Sequence, residues 1–154
     1  MNPILTNSSI QIIIVSFFII FFTSSLLLFT VFFNATDIEI IETHHNRKID
    51  SPSGTAQMLA DTINEALGGG YVCEYDRHSK NEKRAKNEIG MTSIRGGNIV
   101  GEHTVKFFGD SETFEITHTS YSRNVFAEGA IKAAEFIVGK KNGFYNMDDL
   151  VSEN

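Results

Sequence analysis

The chain has 154 residues, 13 basic and 19 acidic side chains, a formal net charge of −6 and a single cysteine. That length allows one ordinary domain, or a small domain with an appendage. One cysteine excludes an internal disulfide and a thiolate metal cage, and the acidic balance argues against a nucleic-acid binder, which needs a cationic footprint.

Residues 1–33 hold no Asp, Glu, Lys, Arg or Gly, so every charged side chain falls in residues 34–154. The uncharged run from Ile10 to Phe33 exceeds the roughly 20 apolar residues that cross a bilayer as a helix. It is apolar on every side, unlike a surface helix of a globular domain, and it lacks the basic start of a signal peptide. As a membrane span, residues 10–33 would leave the C-terminal part in the cytoplasm, because Arg47 and Lys48 follow the run and no basic residue precedes it. The same Phe, Ile, Leu, Ser, Thr and Asn content is what T-rich and A-rich codons give when an unintended stretch is translated from a misread start. Both readings stay open. In either, residues 1–33 are a separate segment, and the globular fold is expected over residues 34–154.

Asp37 to Thr43 is rich in β-branched residues and predicts a strand. A polar segment follows, His44-His45-Asn46-Arg47-Lys48-Ile49-Asp50, and then Ser51-Pro52-Ser53-Gly54-Thr55, which reads as a loop turning into a capped helix start. Ala56, Leu59, Ala60, Ile63, Ala66 and Leu67 form the apolar stripe of that helix, and Gly68-Gly69-Gly70 ends it. Asp76 to Glu88 is crowded with charge: a solvated loop, or a basic loop facing a substrate. Three strands are expected at Ile89–Arg95, Val100–Phe108 and Thr113–Ser120. Short glycine-containing links between them favour antiparallel hairpins. A second helix is expected from Asn124 to Val138, with Phe126, Ala130, Ala133, Ala134 and Ile137 on one face. This order predicts an α+β fold: an open, mostly antiparallel sheet of about four strands with helices packed on one face, and a separate apolar N-terminal helix.

The densest chemistry lies at His44, His45, Lys48 and Asp50, just before Ser53-Gly54-Thr55. A helix start offers unpaired N–H groups and partial positive charge to a carboxylate or phosphate. Lys48 adds a full charge, and the histidines titrate near neutrality, so an anion held by Lys48 and Gly54/Thr55 could be protonated by His44. Two blander readings stand beside this one: a surface histidine pair and a plain helix cap. A metal site from His44, His45, His103 and His118 is a weaker alternative without ordinary zinc spacing. Cys73 reads as a buried small residue, and His103 and His118 as cross-strand partners. Gly96-Gly97-Asn98-Ile99-Val100-Gly101 does not have the G-x-G-x-x-G spacing of a dinucleotide site, and no P-loop occurs.

Glu42 to Ala56 closely resembles the signature E-x-H-H-x-x-K-x-D-x-P-S-G-T-A of dihydrodipicolinate reductases. The likeness continues through Ser93-Ile94-Arg95-Gly96-Gly97, Val100-Gly101-Glu102-His103-Thr104, Glu115-Ile116-Thr117-His118, Ser122-Arg123, Phe126-Ala127 and Gly143-Phe144-Tyr145-Asn146-Met147. It spans about residues 36 to 151, the family's C-terminal domain. The resemblance implies reduction of 4-hydroxy-tetrahydrodipicolinate, a small anionic dicarboxylate, to tetrahydrodipicolinate with NADH or NADPH, in the diaminopimelate route to lysine in the cytoplasm. It implies that His44 is the catalytic proton donor/acceptor and Lys48 the second proton donor. It also places His45 at the substrate, Gly54 and Thr55 at a substrate carboxylate, and a homotetramer built through the sheet. The family's dinucleotide-binding domain has no counterpart in the apolar residues 1–33, so the chain is expected to supply the substrate-binding, catalytic half. The alternative is a non-catalytic fragment that oligomerises or binds a dicarboxylate, with or without a membrane tether.

Overall fold

Alternation along Ile38-Glu39-Ile40-Ile41-Glu42-Thr43-His44 puts Ile38, Ile40, Glu42 and His44 on one face of a strand, since successive side chains point to opposite sides. This strand, β1 (Asp37–His44), is the centre of a five-stranded sheet in a computed structural model that describes residues 37–152. The expected apolar N-terminal helix over residues 1–33 lies outside the described residues. Among the described residues, no helix is long and apolar enough to cross a membrane. They fall into two units, residues 37–121 and residues 122–152.

In the first unit the order of elements is β1, α1 (Gly54–Ala66), β2 (Val72–Glu74), β3 (Glu88–Arg95), β4 (Gly101–Phe108) and β5 (Thr113–Ser120), and the strand order is β2-β3-β1-β4-β5. The expectation of about four mostly antiparallel strands is therefore corrected. β1 pairs in parallel with β3, and β3 with β2, while β4 runs antiparallel to both β1 and β5. The reason is the helix after β1. A helical crossover carries the chain back to the sheet's starting edge, so the next strands run parallel to β1. β2 was missed because three residues cannot display an alternation; it is an edge strand whose Val72 is 63% exposed.

The link from β3 to β4 was expected to close a hairpin, and it does not. Gly96-Gly97-Asn98-Ile99 passes over the end of β1 and delivers β4 to its other side. The His45 N–H donates to Ile99 O at 2.8 Å, the Gly96 N–H to His44 O at 2.9 Å, and the Asn46 N–H to Gly97 O at 3.3 Å. Gly97 turns the corner at φ +53°, a region open to glycine. The β4–β5 connection is a hairpin, in register from Gly101↔Ser120 to Phe108↔Thr113.

Helix α1 begins at Ser53, whose side chain caps the Ala56 N–H, and buries Ala56, Leu59, Ala60 and Ile63. It packs on β1, and the core consists of these residues with Ile38, Ile40, Ile89, Met91, Val105 and Phe107. Each large apolar side chain buried there is worth roughly 2 kcal/mol. The helix leaves through Gly68 and Gly69, both at φ +84°, with their N–H groups on Glu65 O and Asn64 O.

In the charged segment 76–88, Arg77, Lys80 and Arg84 are spent within the chain. Arg84 donates to the carbonyls of Ile38 (2.5 Å) and Glu88 (2.7 Å) and pairs with Asp37, Glu39 and Glu88. Arg77 pairs with Glu88 and Lys80 with Glu74. The loop is thus riveted to the starting ends of β1 and β3, at the opposite end of these strands from His44.

In the second unit, α2 (Asn124–Ile137) forms where the periodicity placed it, yet none of its residues is buried, and Ile131 and Ile137 are 59% and 48% exposed. A short α3 (Met147–Ser152) follows. The expectation of several helices packed on one sheet face is corrected as well: in the first unit a single helix, α1, packs on β1.

Because Arg84 joins two backbone carbonyls to three carboxylates, Arg84→Ala is expected to destabilise the domain by roughly 1–3 kcal/mol in urea unfolding. An unchanged midpoint would show that the rivet is dispensable.

Candidate functional site

The chemistry collects where β1 and β3 end, β4 begins and α1 starts. Glu42 and His44, two apart on β1, share the core face, and the parallel register sets His44 beside Arg95 of β3. The antiparallel register sets Glu42 beside His103 of β4. Glu42 has no solvent exposure. Its carboxylate accepts a two-pronged bond from Arg95, Nη1 to Oε2 at 2.8 Å and Nη2 to Oε1 at 2.7 Å. Oε2 also lies 2.5 Å from His44 Nδ1, and Oε1 accepts the Ser53 N–H at 3.2 Å. Burial alone would raise the Glu42 pKa, but hydrogen bonds from Arg95, Ser93 and His44 outweigh it and hold the carboxyl at about 2.

The His44 ring is nearly buried. Burial pushes its pKa below the usual histidine value, the Glu42 bond and charge push it back up, and the charges of Lys48 and Arg95 add to the depression. At pH 7 the ring is neutral. A Cβ on Gly101 would sit 3.1 Å from its Nε2, so a glycine at that point of β4 leaves that nitrogen room. His103 meets His44 edge to face, with centroids 5.1 Å apart, and its Nε2 lies 2.9 Å from Ser53 Oγ. Since Ser53 Oγ accepts the Ala56 N–H at 3.2 Å, its own proton is free to go to His103. Burial first, and then the charge of His44, lower the His103 pKa to about 4. His118 is its cross-strand partner, and burial lowers that pKa too.

The remaining residues singled out from the sequence lie along the same segment. Lys48 gives its ammonium to both Asp50 oxygens, at 2.9 and 2.8 Å, so its charge is partly satisfied within the chain, and this bond lowers the Asp50 pKa. His45 is half-buried, and its Nδ1 is enclosed without a hydrogen-bond partner among the described residues. Gly54 and Thr55 occupy the first two helical positions of α1, whose N–H groups have no intrahelical acceptor. Gly54 is exposed, and a Cβ there would meet nothing within 4 Å.

Sequence reasoning read Ser53 as a candidate helix cap, the role it takes here, and assigned no role to Glu42, Arg95 or Gly101. The available signal was a carboxylate at the core-facing position of an Ile-x-Ile-x-Glu-x-His strand, where a charge requires a buried partner. Among the described residues, no group of three or more His, Cys, Asp or Glu could hold a metal. Nor do these residues fit a dinucleotide. The strand-to-helix step from β1 to α1 lacks a glycine fingerprint, and the glycine run with positive φ stands at the C-terminal end of α1, which repels phosphate.

Residues 20–151 match the family described as dihydrodipicolinate reductase, C-terminus. The chain belongs to this family. Relatives named 4-hydroxy-tetrahydrodipicolinate reductase include one from Brachyspira hyodysenteriae, 56% identical over 116 residues, which cover 75% of this chain and 50% of the relative. One from Caldanaerobacter subterraneus is 53% identical, over 76% of this chain and 47% of the relative. A Staphylococcus aureus relative is 54% identical, over 74% and 47%. The chain thus spans about half the length of the curated relatives it matches. A solved dipicolinate-bound dihydrodipicolinate reductase from Paenisporosarcina sp. TG-14 shares the fold, with a TM-score of 0.65 and 24% identity over 88% of this chain and 51% of that one.

His103 yields a pH prediction. Its folded pKa of about 4 lies below the ordinary 6.5, so the unfolded chain binds more protons between those values. Stability from this group is complete above pH 6.5 and falls as pH drops toward 4, by on the order of 3 kcal/mol. Urea midpoints between pH 7 and 4 should trace this fall. The slope should flatten in His103→Gln, while an equal slope in both proteins would assign it to other groups.

Proposed function

We propose that residues 34–154 are the substrate-binding and proton-handling half of a 4-hydroxy-tetrahydrodipicolinate reductase, an oxidoreductase of the diaminopimelate route to lysine. The observation that carries the reading is that one buried carboxylate, Glu42, touches both the imidazole of His44 and the start of α1. Family membership supports the reaction class, and the relatives' names supply its substrate.

In this reading one carboxylate of the dicarboxylate substrate sits at the N–H groups of Gly54 and Thr55, with the Thr55 hydroxyl beside them. The dipole of α1 favours negative charge there. Lys48 turns from Asp50 toward the substrate and acts as second proton donor. His45 supplies the enclosed Nδ1 that lacks a partner within the chain. His44 exchanges a proton at Nε2 with the reacting nitrogen of the substrate. NADH or NADPH belongs to the relatives' reaction and would be held outside residues 37–152, so this half contributes binding and proton transfer only.

We also propose that copies of the chain associate through the sheet, as the resemblance implies. In the sheet unit the 47%-exposed Ile94 supports a surface that is covered in an assembly. The proposed location is the cytoplasm. A membrane tether through residues 10–33 concerns residues outside those described. A non-catalytic dicarboxylate-binding fragment is the second reading, favoured by the absence of a dinucleotide cradle among the described residues.

Calorimetry with 2,6-pyridinedicarboxylate tests the pocket, and the full chain is expected to bind it. Lys48→Ala should weaken binding about tenfold, or about 1.4 kcal/mol. Gly54→Ala should weaken it by a similar factor with unchanged or slightly raised stability, because the added Cβ meets only open space in the free protein. Unaltered affinity in both variants would remove the helix start and Lys48 from the site. Turnover of 4-hydroxy-tetrahydrodipicolinate with NADPH, after a dinucleotide domain is supplied, separates the readings: binding without turnover favours the fragment.

A further inference from the structure

The Glu42 carboxylate makes three kinds of contact: the two-pronged Arg95 bond, the contact to His44 Nδ1 and the contact to the Ser53 N–H. Both Glu42 oxygens already accept from Arg95, and Oε1 accepts from Ser53 as well. A carboxylate so occupied has no proton to give. The short contact to His44 must therefore carry the proton on the ring side, at Nδ1. A neutral ring holds one proton, which leaves Nε2 with a lone pair, facing the gap in front of Gly101.

We propose that Glu42 is a positioning residue that locks His44 as the Nδ1–H tautomer, reserves Nε2 for the reacting atom and, through the Ser53 N–H, holds the start of α1 in register with the ring. This deepens the reading of His44 given above and rests on it. In the acid form of His44 both nitrogens carry protons. Transfer breaks the Nε2–H bond, the bonding pair stays on the ring, and the proton goes to the substrate nitrogen. The Nδ1–H bond and the Glu42 charge are unchanged throughout. Arg95 keeps Glu42 ionised and is itself oriented by a bond from Nη2 to Asp50 O at 2.7 Å, which ties the Lys48–Asp50 segment to the same carboxylate. The charged and titratable groups facing the ring are Glu42 on β1, Lys48 after it, Arg95 on β3 and His103 on β4. Glu42 alone among these groups contacts a nitrogen of the ring.

Nitrogen-15 NMR of the histidine rings in the full chain, at a pH above the His44 titration, reads the tautomer directly. His44 is expected to show a protonated Nδ1 and an unprotonated Nε2; the reverse pattern overturns the proposal. Glu42→Gln places an amide NH₂ against an Arg95 N–H in either orientation. It is expected to mix the two His44 tautomers and weaken 2,6-pyridinedicarboxylate binding severalfold. An unmixed Nδ1–H tautomer with unchanged affinity in a folded Glu42→Gln chain also overturns it. If that variant does not fold, the wild-type tautomer still decides. A wild-type chain with the Nδ1–H tautomer and no dicarboxylate binding supports the locking role and removes the substrate reading instead.

Discussion

A carboxylate with no exposure at the middle of a sheet is costly unless its charge is matched, and the ion pair of Glu42 with Arg95 matches it. The planar guanidinium meets both oxygens at once, which a lysine could not do. Two further donors, the His44 ring and the Ser53 N–H, complete the carboxylate's coordination. Four segments distant in the chain converge on these two oxygens: the end of β1, the end of β3, the turn before α1 and, through Ser53 and His103, the start of β4. Loss of either charged partner would leave the other without its counter-charge, Glu42 in full burial, so this pair holds the site together.

The topology makes this convergence possible. Parallel strands β1 and β3 finish at the same edge, and the crossover helix between them begins there, so the positive end of α1 faces the space beyond the strand ends. Ligands of open sheets with parallel strands gather in such crevices. The Gly96–Ile99 passage over the end of β1 then starts β4 at the same edge, which places Gly101 and His103 against His44. The opposite edge, where Arg77 and Arg84 fasten the charged loop, holds the fold together and is remote from this chemistry.

His44 and Lys48 have in common that neither is free of internal partners. Burial holds the imidazole neutral at pH 7, and Asp50 shares the ammonium. In the proposed function both arrangements suit a site that receives a doubly negative molecule and returns to rest after it leaves: the anion would offer the lysine a competing partner and supply the negative charge that favours a protonated ring. In the proposed function, the chain contributes a cradle and a proton relay, while the reductant belongs to a part of the enzyme absent from residues 37–152.

The local patterns were sufficient for local structure. Periodicity located α1 and α2, glycines marked the end of α1, alternation located β1, β3, β4 and β5, and the Glu42–Ala56 signature carried the family. Those properties depend on neighbours within a few residues. The direction and order of strands depended instead on where α1 returns the chain, and the Gly96-Gly97-Asn98 link reads alike whether it closes a hairpin or spans a strand. Glu42 and Arg95 looked like ordinary charges because their partners lie 53 residues apart. Only the parallel register of β1 with β3 brings them together, and a buried charge shows its role once its partner is in place.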